Sequence, residues 1–261
     1  MEGASFVTVE TRRPDLRAPF ATDFTSRLAG QSVQALTRRG KYLLAVLSSG
    51  DTLVMHLGMS GSFRVETGTT RDLPGTYALP PNARAIHDHV VFHMSSGAAI
   101  TFNDPRRFGS MTIVSRDELP QNRGLDRLGP EPLSRAFDAA ALARACSGKR
   151  VSLKVALMDQ RVVAGLGNIY VCEALHRARM SPRRRAASVA TRSGAPKDAA
   201  RLLVAAIKRV LNDAVRLDAP DRFRVYGRAG ERCRRTGCVG IVRRIVQAGR
   251  STFYCPICQR A

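Results

Sequence analysis

The sequence predicts an α+β chain made of several modules, and three observations support this prediction. Short apolar runs separated by glycine-containing turns fill the first part of the chain. Alanine-, leucine- and arginine-rich segments follow from about Asp117, and a cluster of cysteines lies close to the end. A series of short strands joined by turns is typical of a β-sandwich or barrel. We place three modules at residues 1–116, 117–222 and 223–261.

The first module contains five runs that we predict as β-strands. They are FVTVETR from Phe6, and the segments Tyr42–Leu47, Thr52–Leu57, His89–Met94 and Ala98–Phe102. Each run is rich in β-branched or aromatic residues, and turns containing glycine separate successive runs. Residues 67–82 carry glycine, threonine and proline without periodicity, so we predict a loop there.

The second module contains four segments that we predict as helices, at residues 137–146, 151–160, 168–178 and 197–216. In the last of them, apolar residues recur at helical spacing and mark one buried face. The Gly165–Asn168 turn precedes the third helix, whose first N–H groups would be open to an anion. A plain packing joint between two helices explains the same turn equally well.

The third module contains four of the six cysteines, in the pattern C-x4-C, sixteen residues, C-x2-C. Two close pairs separated by a hairpin deliver four thiolates to one tetrahedral zinc ion, with no open position for chemistry. We therefore predict one structural Zn²⁺ bound by Cys233, Cys238, Cys255 and Cys258, below a turn at residues 247–249. The alternative, two disulfides, would require an oxidising compartment. Cys146 and Cys172 are predicted to be core residues.

The charge of the chain points to a polyanionic partner. Lysine and arginine number 42 against 21 acidic residues, a formal net charge of +21. Nucleic acid is the first choice, and a ribosome-associated or merely basic protein is the alternative. No apolar run approaches the roughly 20 residues that cross a bilayer. We therefore expect a cytoplasmic protein with no membrane partner, and a monomer.

Two turns in the first module carry residues able to enter a base stack. In FNDPRRFGSM, residues 102–111, Arg106 and Phe108 follow a turn that begins at Asp104. In MHLGMSGSF, Met59 stands between glycines. Exposed side chains of this kind can fill the gap that an extruded nucleotide leaves. Taken alone, each turn is better explained by packing of Met59 or Phe108 in the core.

Together these stretches resemble the motifs of one family. RRGKYLL, MHLGMSGSF, HDHVVF, NDPRRFG, LGPEPL, LMDQRVVAGLGNIYVCEAL and GRSTFYCPICQR are similar, in order and over nearly the whole chain, to the formamidopyrimidine-DNA glycosylase (Fpg/Nei) family. The resemblance implies an N-terminal β-sandwich, a helix–two-turn–helix domain and a C-terminal zinc finger. It also implies base-excision repair of double-stranded DNA: the family flips out an oxidised purine, cuts the glycosidic bond and nicks the abasic strand. Such a protein would associate with the nucleoid.

The resemblance also implies roles for individual residues. Lys41 resembles the lysine that touches phosphate and assists β-elimination, and Arg250 the zinc-finger arginine that contacts phosphate and is assigned to δ-elimination. The implied DNA contacts are His87, Arg106, Arg150, Lys154, Asn168, Met59 and Phe108. Within this set, Lys154 and Asn168 resemble the phosphate-gripping residues of the helical motif. Met59, Arg106 and Phe108 resemble the trio that fills the vacated stack.

The sequence departs from the family pattern in two places. The Met-Pro-Glu stretch that supplies the family's amine nucleophile and its acid/base does not occur, so we expect an incomplete sandwich. Residues 217–222 stand where the family carries a longer base-capping loop. Either the start codon lies upstream, or the chain is a degenerate relative. The alternative function is therefore a non-catalytic protein that binds lesions or abasic sites, and a zinc-finger RNA-binding protein is a third possibility.

Overall fold

A computed structural model of the chain describes residues 1–72, 85–217 and 223–260. The chain divides into two compact units, Met1–Asp126 and Arg127–Ala261. The module boundaries after residues 116 and 222 stay predictions. Most of the 67–82 segment and of the 217–222 segment lies outside the described residues.

The described part of the first unit is built mainly of β-strands. These are β1 (Phe6–Thr11), β2 (Val33–Arg39), β3 (Tyr42–Leu47), β4 (Thr52–His56), β5 (Ser62–Thr67), β6 (Thr70–Asp72), β7 (Asp88–Met94), β8 (Ala99–Asn103) and β9 (Ser110–Val114). One short helix, α1 (Phe24–Leu28), and 3₁₀ turns at Ala85–His87 and Leu119–Gln121 complete it. The five predicted strands are confirmed, as β1, β3, β4, β7 and β8. We predicted a loop over residues 67–82, but Thr70–Asp72 form strand β6, so this part of the prediction is wrong.

Two antiparallel sheets make up the described part of this unit, and they share one core. The strand orders are β1-β7-β8-β5-β6 and β2-β3-β4-β9. Phe6, Phe92 and Phe102 of the first sheet are fully buried in the same cluster as Leu47 and Leu53 of the second. Side chains from the inner faces of two sheets that meet in one core define a β-sandwich. The predicted sandwich is therefore confirmed.

The second unit contains the helices and a two-stranded hairpin. The helices are α2 (Ala139–Cys146), α3 (Leu153–Met158), α4 (Asn168–Arg177) and α5 (Asp198–Leu217), with a 3₁₀ turn at Ala186–Val189. The hairpin pairs β10 (Arg243–Gln247) with β11 (Arg250–Tyr254), as predicted. The turn between them places Ala248 and Gly249 at φ of 48° and 70°. A two-residue turn with both φ values positive matches the twist of the strands that it joins.

Capping side chains explain where two of these helices begin. The Asp138 carboxylate accepts a hydrogen bond from the Ala141 N–H at 2.7 Å, and the Ser152 hydroxyl accepts one from the Val155 N–H at 3.4 Å. Side-chain acceptors of this kind satisfy N–H groups that have no partner within the helix. Helix α4 begins after Gly167, which offers no side-chain cap.

The helices pack around their own core, and the hairpin packs onto α4. Leu203 and Ile207 on the predicted face of α5 are fully buried, which confirms that face. Cys172 of α4 forms a separate small cluster with Val225 and Val242, beside the ring of Phe253. Among the described residues, no helix is both long enough and apolar enough to cross a membrane.

Candidate nucleic-acid interface and metal centre

The four cysteines of the C-terminal module converge on one point. The sulfur atoms of Cys233, Cys238, Cys255 and Cys258 all lie within 4.8 Å of one another. The Sγ–Sγ separations are 3.8 Å for Cys233 and Cys258 and 3.6 Å for Cys238 and Cys255. A disulfide bond is about 2.05 Å long, so none of these pairs is bonded. The alternative of two disulfides is wrong, and the cluster can hold a metal ion.

Local backbone geometry brings the two cysteine pairs together. The Gly240 N–H points at the Cys238 sulfur at 3.4 Å, and the Gly240 carbonyl accepts a hydrogen bond from the Cys233 N–H at 2.8 Å. A side chain at Gly240 would overlap the Cys255 sulfur and the side chain of Ile257. Only glycine therefore lets the first cysteine pair approach the second.

Helix α4 holds the C-terminal module along one face. Asn168, Cys172 and His176 are spaced four residues apart, and this spacing places them on one side of a helix. The Asn168 amide donates a hydrogen bond to the Ser251 carbonyl at 2.8 Å. Cys172 packs in the small apolar cluster of the module, and burial raises the pKa of its thiol to about 11. This cysteine is therefore a buried thiol outside the metal cluster, as predicted.

Glu173 fixes the point where the chain enters the module. Its carboxylate accepts three backbone hydrogen bonds, each 2.9 Å long, from the N–H groups of Arg224, Val225 and Tyr226. Glu173 is only 6% exposed. A buried carboxylate is stable when it accepts several N–H groups. One side chain thus ties three consecutive residues of the module to α4.

His176 lies against the metal cluster. Its ring is fully buried, and its Nε2 atom is 3.2 Å from the Cys233 sulfur. Burial, together with the positive charges of nearby arginines of which Arg235 acts most, lowers the pKa of His176 to about 4. A neutral ring protonated on Nε2 donates a hydrogen bond to a thiolate. The Arg235 guanidinium also donates to the His176 carbonyl, at 2.5 Å.

Three of the predicted site residues meet where the hairpin joins the helices. Lys154 is only 1% exposed. The pKa of its ammonium group is lowered, mainly by burial. The nearby Cys172 opposes this shift, and the positive charge of the nearby Arg250 adds to it. Arg250 is exposed at the start of β11 and adjoins Ser251, which Asn168 contacts. The unit therefore brings Lys154, Asn168 and Arg250 together.

Arg150 lies close to the same junction. It is exposed in the segment that leads to α3, two residues before the Ser152 cap. The Gln247 side chain, at the tip of the hairpin, donates hydrogen bonds to the Ser152 hydroxyl at 3.1 Å and to the Pro182 carbonyl at 3.2 Å. The tip of the hairpin is thereby fixed beside the segment that carries Arg150.

In the first unit, the side chains predicted to enter a base stack are exposed. Met59 is 58% exposed and Phe108 is 42% exposed. The explanation of these two residues as core residues is therefore wrong. The Arg106 guanidinium lies 4.7 Å from the centre of the Phe108 ring, within the range of a cation–π contact. An exposed aromatic ring and an exposed methionine stand on two turns of the same sandwich.

Lys41 and His87 each lie directly before a strand. Lys41 is exposed before β3, and the ring of the next residue, Tyr42, lies 4.8 Å from the ring of His56. Burial lowers the pKa of His56, and the nearby charge of Lys41 lowers it further. The His56 Nδ1 accepts a hydrogen bond from the Gly58 N–H at 2.9 Å, which links this strand end to the turn that carries Met59. The His87 carbonyl accepts from the Asp104 N–H at 3.0 Å, at the start of β7.

Sequence reasoning missed the residues that hold the candidates in place. Glu173 and His176 lie on the predicted third helix, five and eight residues after Asn168. The signal that could have shown them is the presence of an acidic side chain and a histidine, three residues apart, among the apolar residues of this helix. The sequence indicates Asp104 only as the start of a turn, and nothing in it shows that this carboxylate is fully buried.

Two family models match the chain. The model for the formamidopyrimidine-DNA glycosylase N-terminal domain matches residues 1–111, and the model for the formamidopyrimidine-DNA glycosylase H2TH domain matches residues 128–222. Among curated proteins, the formamidopyrimidine-DNA glycosylase of Bradyrhizobium sp. (strain ORS 278) is 59% identical, and the alignment covers 100% of this chain and 94% of the relative. The formamidopyrimidine-DNA glycosylase of Nitrobacter winogradskyi is 55% identical over 99% of this chain and 94% of its own length.

Solved structures agree with these matches. The formamidopyrimidine-DNA glycosylase of Lactococcus lactis, non-covalently bound to DNA with an AP site, has a TM-score of 0.84 and 28% identity, and the match covers 100% of this chain and 94% of that one. A complex of the Lactococcus lactis enzyme with DNA containing FAPY-dG has a TM-score of 0.83 and 27% identity, with coverage of 99% and 94%.

Proposed function

The chain belongs to the formamidopyrimidine-DNA glycosylase family, and from that premise we propose that it is a DNA glycosylase and abasic-site lyase of base-excision repair. Its substrate is double-stranded DNA that contains an oxidised purine or an abasic site. The observation that carries the proposal is the exposed Arg106–Phe108 pair near Met59, on a chain that matches DNA glycosylases over its full length. A protein with this substrate acts at the nucleoid in the cytoplasm.

The first unit supplies the wedge, by which we mean Met59, Arg106 and Phe108. When a nucleotide leaves the duplex, the neighbouring base pairs lose a stacking partner and the opposite base loses its hydrogen bonds. The Phe108 ring and the Met59 side chain offer apolar surface for that gap, and the Arg106 guanidinium offers hydrogen-bond donors to the unpaired base. His87 and Lys41 contact the phosphates beside it.

The second unit supplies the grip, by which we mean Arg150, Lys154, Asn168 and Arg250. Helix α4 begins at Asn168 without a side-chain cap, and the positive end of the helix dipole there favours a phosphate. Lys154 is almost fully buried, and a buried ammonium group is costly unless an anion lies beside it. A DNA phosphate at this junction would provide that anion. These contacts position the backbone and carry no base sequence.

The metal is a structural zinc ion bound by the four cysteines. All four ligands are sulfurs, and an all-thiolate tetrahedral site leaves no position for a substrate. When bound, the ion holds the two cysteine pairs together and so keeps the hairpin folded. The residues of this chain then perform the binding, since Arg250 stands on the hairpin that the ion stabilises.

Lys41 and Arg250 are the proposed catalytic residues. Strand cleavage at an abasic sugar begins when a base removes a proton from C2′, and the 3′ phosphate then leaves with the electrons of the broken C–O bond. Lys41 is exposed at this strand end, beside a partly buried histidine whose pKa is lowered by burial and by the charge of Lys41. The Lys41 side chain serves as this base when its amine is neutral, and its ammonium form then donates a proton to the departing phosphate. Arg250 contacts the phosphate that leaves in the second elimination.

The experiment that tests the proposal compares three duplexes: one with 8-oxoguanine, one with an abasic site and one intact. We expect the chain to shift the abasic duplex more than the intact one and to nick both damaged duplexes. Borohydride trapping with peptide mapping then identifies the amine that attacks C1′. Selective binding without nicking or trapping would contradict the enzyme and support the non-catalytic damage-binding alternative. Equal binding of all three duplexes would contradict both.

A further inference from the structure

Asp104 lies at the centre of the wedge, and its carboxylate is fully buried. The Oδ1 atom accepts hydrogen bonds from the Ser60 hydroxyl at 2.5 Å and from the Arg106 N–H at 3.3 Å. The Oδ2 atom accepts one from the Gly109 N–H at 2.8 Å. A single carboxylate thus contacts both turns that carry the wedge, since Ser60 follows Met59 and the other two donors flank Phe108.

The backbone of Asp104 is held as firmly as its side chain. Its N–H donates to the His87 carbonyl at 3.0 Å, and its carbonyl accepts from the Arg107 N–H at 3.2 Å. The same carbonyl lies 2.9 Å from Nε2 of His89, a buried ring. These bonds anchor the carboxylate to the sandwich, so that it serves as a fixed reference point for the two turns.

The two turns also touch each other directly through their backbones. Gly58 adopts a φ of +68°, and a side chain there would overlap the carbonyl carbon of Phe108. A side chain at Gly109 would lie 2.6 Å from the Phe102 ring and 3.1 Å from Oδ2 of Asp104. Gly58 and Gly109 therefore allow the two turns to lie closer together than any side chain would permit. The Asp104 carboxylate forms hydrogen bonds to both turns at this point.

We infer that Asp104 is a positioning residue that fixes the Met59 turn and the Arg106–Phe108 turn as one preorganised wedge, and so sets the preference of the protein for DNA with a vacated stack. The inference rests on the proposed function. Side chains that must be ordered on binding lower the affinity, whereas side chains held in place beforehand do not. Intact DNA offers no gap, so the arrangement of the two turns matters mainly for damaged DNA.

The test measures the ratio of dissociation constants for intact and abasic-site duplexes. Asp104→Asn keeps the shape of the side chain but replaces one oxygen by an NH₂ group. Whichever way the amide turns, the N–H of Arg106 or of Gly109 then faces another donor. We expect this ratio to fall about tenfold, because a buried donor without an acceptor is costly, while affinity for intact DNA changes less than about twofold.

Asp88→Asn is the matched control. Asp88 is 4% exposed and belongs to the same sandwich, and its carboxylate accepts hydrogen bonds from Arg64 at 3.0 Å and from Asn103 at 2.7 Å. The change in charge is the same, but neither turn of the wedge bonds to this carboxylate. Melting temperatures of the two variants report any loss of stability. We expect Asp88→Asn to leave the ratio unchanged at temperatures where both proteins are folded.

Ser60→Ala covers the case in which Asp104→Asn does not fold. It removes only the side-chain hydrogen bonds that join the Met59 turn to the carboxylate and to the Arg106 N–H, and we expect the ratio to fall about threefold. A ratio that is unchanged in Ser60→Ala, or that falls equally in Asp104→Asn and Asp88→Asn, would overturn the inference. A wild-type protein without any preference for abasic DNA would instead contradict the proposed function.

Discussion

The two units hold their candidate DNA contacts in different ways. In the first unit, Met59 and Phe108 stand on turns, and a fully buried carboxylate accepts hydrogen bonds from the Ser60 hydroxyl in one turn and from backbone N–H groups in the other. In the second unit, Asn168 begins a helix and Arg250 begins a strand, and a four-cysteine cluster stabilises the hairpin. On the proposed function, the wedge would therefore depend on preorganised hydrogen bonds, and the grip would depend on the metal and on helix packing.

The largest effect that this comparison predicts comes from Cys255→Ser. Removal of one thiolate weakens binding of the ion, and the hairpin is too small to fold without it. We expect the affinity for intact and abasic DNA to fall together by about 100-fold, since the phosphate contacts of the hairpin are lost. Gel shifts and a zinc assay on the purified protein measure both quantities. Cys146→Ala, a buried cysteine outside the cluster, is the control, and equal losses in the two variants would contradict the special role of the cluster.

The next effect in size is the loss of stability in Glu173→Ala. Three backbone N–H groups lose their acceptor at once, and we expect the free energy of unfolding to fall by about 2 kcal/mol. Chemical denaturation measures this change. Glu231→Ala removes the ion pair between the exposed Glu231 carboxylate and Arg228 and should cost less than about 1 kcal/mol. Similar losses in both variants would show that Glu173 does not anchor the module.

Arg106→Ala and Arg250→Ala separate the wedge from the grip. We expect Arg106→Ala to weaken binding of abasic-site DNA by about tenfold and intact DNA much less, because it acts in the vacated stack. Arg250→Ala should weaken both duplexes alike and reduce the salt dependence of binding by about one unit of slope. Titrations at several salt concentrations measure both effects. Equal weakening by Arg106→Ala, or an unchanged slope in Arg250→Ala, would remove that residue from its role.

The smallest effect is a pH dependence confined to the first unit. The pKa of His56 is lowered by burial and then by Lys41 and Arg17, and its Nδ1 accepts from the Gly58 N–H. The folded protein therefore binds this proton less readily than the unfolded chain. The contribution of His56 to stability is full above the unfolded pKa of about 6.5, and it is lost as the pH falls towards the lowered folded pKa.

We expect the unfolding free energy to fall through this group as the pH becomes acid. Denaturation curves between neutral and mildly acid pH test it, with His56→Gln as the comparison. If the variant lost as much stability on acidification as the wild type, His56 would not be the responsible group.

The elements that could be predicted from sequence are those with a strong local pattern. The apolar runs of β3, β4 and β7 and the apolar face of α5 follow from periodicity alone. The strand β2, Val33–Arg39, was missed because most of its side chains are exposed or polar. For the site, the spacing of the four cysteines is enough to indicate the cluster, because the ligands come in two close pairs.

What sequence could not show is which polar residues lie inside. Lys154, Asp104 and Glu173 are almost fully buried, although charged residues are usually exposed. Their burial depends on partners distant in sequence, as when Glu173 meets backbone N–H groups 51 to 53 residues away. Met59 and Phe108 are the opposite case: they are apolar residues, which are usually buried, but both are exposed.

The face that α4 turns to the C-terminal module has a thermodynamic consequence. Asn168 begins the helix at the proposed phosphate contact, and His176, two turns later, lies against the Cys233 sulfur. On the proposed function, one helix would therefore join the binding of the ion to the binding of DNA. Linkage between such sites is reciprocal: the factor by which the ion raises the affinity for DNA equals the factor by which DNA raises the affinity for the ion. Protein bound to DNA should therefore keep its metal at chelator concentrations that empty the free protein.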